Sequence, residues 1–206
     1  MNLWKNYKKT LDDIFPEFKF ESRWCNWCNK DDLNMTADNY TAPHFIKSRQ
    51  VDIRSDKTDI YNNVMYPKTG HNLPCFGMDL MGFFHKKVII VFDFQHPVEN
   101  YVLNVPPLPK ADKTYRFFEM GNHFSENIFV RYCNMDEVDT YVPTFRYYLT
   151  LYREMIDKAQ PTGEDTTQYK DFDSYMKRLD PILGYLTGNF GKENANRMMD
   201  EFFFPY

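Results

Sequence analysis

Large apolar residues recur at Trp4, Tyr7, Leu11 and Ile14, at intervals of three and four, with Lys, Asn and Asp between them. That is the spacing of one helix face, so an amphipathic helix is predicted over residues 4–15, closed by Pro16. From Phe18 to about Phe94 the pattern changes. Short runs of β-branched and aromatic residues alternate with Asn, Asp, Gly and Pro clusters, too close together for crossover helices, which predicts an antiparallel sheet. Its clearest strands are residues 58–66, 74–84 and 88–95, the last two joined as a hairpin through His85-Lys86-Lys87. Within the second of these, alternation puts Cys75, Gly77, Asp79 and Met81 on one face and Phe76, Met78 and Leu80 on the other. Both faces are mainly apolar, so both are expected to be covered.

Helical spacing returns over residues 135–159, and shorter helices are predicted at 169–179, 181–190 and 192–203, with Asp180-Pro181 and Gly191 marking their ends. A sheet with helices before and after it implies an α/β fold, a three-layer α/β/α sandwich whose central antiparallel sheet is flanked by helices. The run Pro106-Pro107-Leu108-Pro109 reads as a surface connector, and a chain of 206 residues fits one domain spanning 1–206.

Composition narrows the classes of function. The chain is 43% hydrophobic, 18% aromatic and 26% charged, with a mean hydropathy of −0.63, as expected of a globular protein with a solvated exterior. No stretch reaches the roughly 18–20 apolar residues of a membrane span, and the first fifteen residues lack a signal-peptide core, so a cytoplasmic protein is predicted. A net charge of −4 without a basic cluster argues against nucleic-acid binding. Four cysteines fit a reducing compartment. Cys25-Asn-Trp-Cys28 has the spacing of half a metal site, but no second close pair completes it, so no metal is expected. The five histidines show no ligand-like spacing, and nucleotide-binding and zinc-hydrolase motifs are missing.

What stands out is polar side chains inside apolar strands: Asn62, Asp79 and Asp93, together with Asp180 at a helix start. Burial disfavours the charged form of a carboxyl, raises its pKa and equips it to donate protons near neutral pH. Asp79 and Asp93 meet this criterion equally, and either could instead be a structural acceptor of hydrogen bonds. Asp180 precedes Pro181 as a helix cap would, and the helix N-terminus pulls its pKa down while burial would push it up.

The run DIYNNVMYPKTGHNLPCFGMDLMGFFHKKVIIVFDFQHP (residues 59–97) resembles the central sheet of ferredoxin-dependent bilin reductases, with the greatest likeness to their phage-encoded phycoerythrobilin-forming members. YRFFEMGNHFSENIFVRYC (115–133) and YMKRLDPILGYLTGNFG (175–191) extend the resemblance over nearly the whole chain. It implies a cofactor-free enzyme that binds biliverdin IXα between the sheet and the C-terminal helices, takes electrons singly from a [2Fe-2S] ferredoxin, and takes protons from two aspartates.

Carried onto this sequence, those aspartates are Asp79, in the Phe-Gly-x-Asp strand, and Asp180, in Leu-Asp-Pro. Asn62 stands where members forming phycocyanobilin have a histidine, which points away from that product. The implied reaction is a four-electron reduction through 15,16-dihydrobiliverdin to phycoerythrobilin, with Asp79 serving the 15,16 bridge, Asp180 the A-ring and Asn62 positioning the pigment. Arrest at 15,16-dihydrobiliverdin and a non-catalytic carrier are the alternatives. Arg49, Arg116 and Arg131 are candidates for the pigment's propionates, and Met78, Phe92 and Gln95 for further substrate contacts. Lys86 and Lys87 are candidates for docking an acidic ferredoxin. A monomer is expected, and the Cys25/Cys28 thiols are expected to do no redox work.

Overall fold

A computed structural model describes residues 2–68, 73–84, 87–96, 102–106, 108–109, 124–160 and 167–204. Helix α1 (Lys5–Ile14) opens the chain. Seven strands follow among the described residues: β1 (Lys19–Cys28), β2 (Asn34–Ala42), β3 (Phe45–Arg54), β4 (Thr58–Pro67), β5 (Cys75–Phe83), β6 (Lys87–Gln95) and β7 (Phe129–Cys133). They form one antiparallel sheet in which spatial order equals chain order. The helical part comprises a 3-10 segment Met135–Tyr141, then α2 (Val142–Lys158), α3 (Thr167–Leu179), α4 (Ile182–Phe190), α5 (Lys192–Met198) and a π-type turn Met199–Phe203.

The β5 alternation falls as predicted. Phe76, Met78 and Leu80 join Ile90, Phe92 and Phe94 in a core closed by Tyr7 and Leu11 of α1 and by Phe145, Tyr148 and Tyr152 of α2. On the other face Val51, Ile53, Val64, Cys75 and Val91 pack against Tyr169, Phe172, Met176, Leu186 and Met198 from α3 to α5. The sheet is therefore the middle of three layers. Buried aromatics at these contacts keep their polar ends satisfied, as burial requires: Tyr7 Oη donates to Val138 O (2.8 Å), Tyr152 Oη to Pro74 O (2.8 Å) and Tyr169 Oη to Leu73 O (2.9 Å).

Two features depart from the sequence reading. The helix predicted over 135–159 is split: Asn134 and Glu137 form a capping box on the 3-10 segment, and α2 starts afresh at Val142 with Pro143 in its first turn. Proline has no N–H to give the residue four back, so one continuous helix could not pass through it. β7 lies beyond the predicted end of the sheet and adds an edge against β6.

Candidate active site

β3, β4 and β5 lie side by side, and their register brings three polar side chains to one spot on the α3–α5 face. Asn62 of β4 pairs directly with Asp79 of β5, and Arg49 of β3 sits across the β3–β4 pair from Val64. Arg49 Nη1 donates to Asn62 Oδ1 (2.6 Å), and Asn62 Nδ2 donates to Asp79 Oδ1. Arg49 is only 4% exposed, with its guanidinium over the rings of Phe203 (4.7 Å) and Phe204 (5.8 Å).

Asp180 reaches the same place from the α3–α4 junction. Its N–H closes α3 on Met176 O (2.9 Å), and its carboxylate accepts the N–H of Ile182 (2.9 Å), the first residue of α4. The predicted capping role is real, and the acid faces a cavity as well. A partly open cavity of about 280 Å³ is lined by Val51, Ile53, Ile60, Met81, Phe83, Ile182, Tyr185 and Phe203, with Asn62, Asp79 and Asp180 as its main polar groups. The same three residues border an inner recess of about 30 Å³ that continues to Arg49, Tyr66 and Gln95. A mostly apolar cavity with a few convergent polar groups is the usual form of a small-molecule site.

Electrostatics distinguishes the acids. Burial raises the pKa of Asp79, opposed by the hydrogen bond from Asn62 and the charge of Arg49. Burial also dominates at Asp180, which rises to about 6 despite the Ile182 N–H and Arg49, with Asp79 adding to the rise. Burial thus outweighs the helix N-terminus. Asp93, raised to about 7 by burial, is spoken for: Ser125 N donates to its Oδ2 (2.7 Å) and Ser125 Oγ to its Oδ1 (2.5 Å). Asp93 lines neither cavity region. The tie between Asp79 and Asp93 is broken by which carboxyl faces open space.

Of the other predicted residues, Gln95 borders the inner recess, and Gly77 makes room for it, since a Cβ there would stand 2.5 Å from Gln95 Oε1. Met78 borders the recess, but its side chain belongs to the opposite core. Phe92 is not brought to the cavity: it stacks on Phe129 (4.5 Å between centroids) and meets Tyr148 of α2 on the far face. Strand parity is the reason, because Phe92 pairs with Met78, one step out of phase with Asp79. Arg131, opposite Ile90, is on that far face too, over the Phe129 ring at 4.5 Å. Arg116 and Lys86 lie outside the described residues. Lys87 covers the Tyr132 ring (4.7 Å). Cys25 is buried and Cys28 exposed, three residues apart on β1 and hence on opposite faces, so they do not form a thiol pair.

Sequence reasoning missed the apolar walls. Met81 and Phe83 share the parity of Asp79 on β5 and were findable; Tyr185 and Phe203 come from helices whose docking no local pattern reveals.

Residues 21–205 match the family model described as ferredoxin-dependent bilin reductase. A 15,16-dihydrobiliverdin:ferredoxin oxidoreductase of Nostoc punctiforme (strain ATCC 29133 / PCC 73102) is 30% identical over 168 residues, covering 72% of this chain and 69% of that protein. One of the same name from Gloeobacter violaceus (strain ATCC 29082 / PCC 7421) is 29% identical over 185 residues, covering 80% and 76%. Among solved structures, phytochromobilin synthase from tomato in complex with biliverdin superposes with a TM-score of 0.69 over 97% of this chain and 82% of that one, at 16% identity, which shows the same fold.

Proposed function

Because the chain belongs to the ferredoxin-dependent bilin reductase family, we propose that it reduces biliverdin IXα with single electrons from reduced ferredoxin, first to 15,16-dihydrobiliverdin and then to phycoerythrobilin. Each of the two reductions consumes two electrons and two protons. The conjugated pigment itself accommodates an unpaired electron, so the protein needs no resident cofactor and contributes a dry cavity and protons. The observation that carries this reading is the meeting of Asp79 and Asp180 at one apolar cavity, both with pKa values raised by burial.

Asp79 Oδ1 accepts from Asn62, which leaves Oδ2 to hold the proton delivered to the bilin near its 15,16 bridge. Asp180 provides a second donor from the helical side of the cavity, serving the A-ring. Asn62 keeps Asp79 in place. A second reading, arrest at 15,16-dihydrobiliverdin, is favoured by the name that both quoted relatives share.

The deciding experiment is an anaerobic assay of the full chain with biliverdin, ferredoxin and a ferredoxin-reducing system, followed by absorption and chromatography. Accumulating phycoerythrobilin is the expected result. A stable 15,16-dihydrobiliverdin end product supports the second reading, and bound but unchanged biliverdin identifies a carrier and overturns both. Asp79→Asn should bind biliverdin and stall; normal turnover by that variant rules out the role given to Asp79.

A further inference from the structure

We propose that Arg49 is a positioning residue that fixes the orientation of Asn62 and through it of Asp79, and is not an anchor for the anionic groups of the substrate. The inference rests on Asp79 being the proton donor argued above.

It starts from what a guanidinium can do. Arginine carries five N–H donors and no acceptor, while an asparagine amide has one oxygen and one NH₂ at nearly identical positions. Against Arg49 Nη1, at 2.6 Å, Asn62 must therefore present Oδ1. Its NH₂ then has one direction left, toward Asp79 Oδ1. With the amide reversed, NH₂ would face the cation and oxygen would face the carboxyl. Arg49 thus sets the polarity of a three-residue chain running across β3, β4 and β5, and makes Asp79 Oδ1 an acceptor.

The setting of Arg49 supports this use. Its flat group lies between the sheet and the final turn, over Phe203 and Phe204, and it is buried to 4% exposure. Planar stacking suits arginine and pre-orders its donors. Arg49 does not line the larger cavity, whereas Asn62 and Asp79 do. It borders only the inner recess, beside Asn62, Asp79 and Asp180. Its charge also lowers the pKa of both Asp79 and Asp180, against the rise from burial.

The titratable groups facing this assembly come from several elements: Lys47 of β3, Tyr66 of β4, Cys75 of β5, Asp173 of α3 and Asp180 at the α3–α4 junction. Tyr66 Oη donates to Asp173 Oδ1 (3.1 Å), and Lys47 lies over the Tyr66 ring (4.3 Å). Asp173 accordingly offsets Lys47 behind the recess, while Arg49 is the cation aligned with Asp79.

The test measures the Asp79 carboxyl directly, by carbon-13 NMR of pigment-free protein labelled at aspartate carboxyls and assigned with Asp79→Asn. The full chain is compared with Arg49→Met, Arg49→Lys and Asn62→Leu, each checked for folding by thermal unfolding. In Arg49→Met the Asp79 titration should move to higher pH, and Arg49→Lys should restore only part of it. Asn62→Leu leaves the Arg49–Phe203 stacking in place and should move Asp79 the same way. Biliverdin affinity of Arg49→Met, read by absorbance titration, should stay within about threefold of the parent. Loss of a charge-assisted contact to the pigment would cost on the order of tenfold or more. An unmoved Asp79 in both Arg49→Met and Asn62→Leu overturns the proposal, as does an affinity loss of that size whatever Asp79 does. Since the titration is read without pigment, failure of the wild type to reduce biliverdin would refute the functional reading and leave this linkage separately measured.

Discussion

Asp180→Asn should stabilise the protein while disabling it. The native pKa of Asp180 is about 6 against an ordinary value of 3.8. Between those two values the native state holds a proton that the unfolded chain has already lost. Stability therefore falls as pH rises through this window and levels off above about 6. At 1.36 kcal/mol per pKa unit the full cost at pH 8 is roughly 3 kcal/mol. Asp180 is only partly enclosed, so solvent screening reduces this to about 1.5 kcal/mol. Asparagine is isosteric, caps helices as well as aspartate and keeps an oxygen for the Ile182 N–H, so the cap is retained. For a chain of this size about 1.5 kcal/mol corresponds to a Tm gain of roughly 3–6 °C at pH 8. The gain should shrink as pH falls through this window and vanish near pH 3, below the ordinary value of 3.8, where the wild-type acid is largely protonated in both states. Differential scanning calorimetry of the two proteins from pH 3 to 8 checks this. A difference independent of pH, or a variant less stable at pH 8, would refute the reasoning. The same variant should lose formation of the final product, since an amide has no acidic proton to deliver.

Gly77→Ala should drive a methyl toward the Gln95 amide, 2.5 Å away at the end of a flexible side chain beside the inner recess, so that the amide turns aside and stability falls by no more than about 1 kcal/mol; a loss of about 3 kcal/mol in denaturant melts would show that Gln95 is held in place. Ser125→Ala removes a donor from buried Asp93, whose pKa is already about 7. Its destabilisation should approach about 1.5–3 kcal/mol above pH 7, where the carboxylate needs that bond, and shrink below it; denaturant melts at pH 5.5 and 8.5 read the difference. In the native protein a thiol reagent should label Cys28 first. Cys25 is buried with its thiol pushed up to about 12 and Cys133 up to about 11 by burial, while Cys75 is fully enclosed; peptide mapping after brief alkylation checks the order.

The three-layer fold was legible because its signals are local. The β5 alternation separates Asp79 from Met78, and helix starts and stops at Asp180-Pro181 and Gly191 are punctuated by residues that cannot do otherwise. β1 and β2 were not individually legible. β2 reads Asn34-Met-Thr-Ala-Asp-Asn-Tyr-Thr-Ala, polar residues that disfavour strands in isolation and are held by neighbours on both sides. At the site, residue type nominated Asp79 and Asp93 equally, because burial alone does not say whether a carboxyl meets Ser125 or a cavity. Phe92 is a different failure: it alternates with Asp93 and Gln95 along one strand, which already set it on the opposite face from Gln95. Arg49 was found for its charge, but its contact with Asn62 depends on β3 and β4 registering as they do.

The sheet's simple order also bears on how the chain acquires its structure. From β1 to β6 each strand pairs with the one just made, so this part of the sheet can grow by successive hairpins with short loop closures, a route that favours rapid assembly, whereas β7 joins only across residues 96–128. Arg49, Asn62 and Asp79 are separated by only 13 and 17 residues, and their chain of hydrogen bonds closes as soon as β3, β4 and β5 meet. Asp180 arrives only when the terminal helices dock. This topology predicts that one wall of the cavity forms before the other, so refolding experiments should see the sheet's protection from hydrogen exchange precede that of α3 to α5.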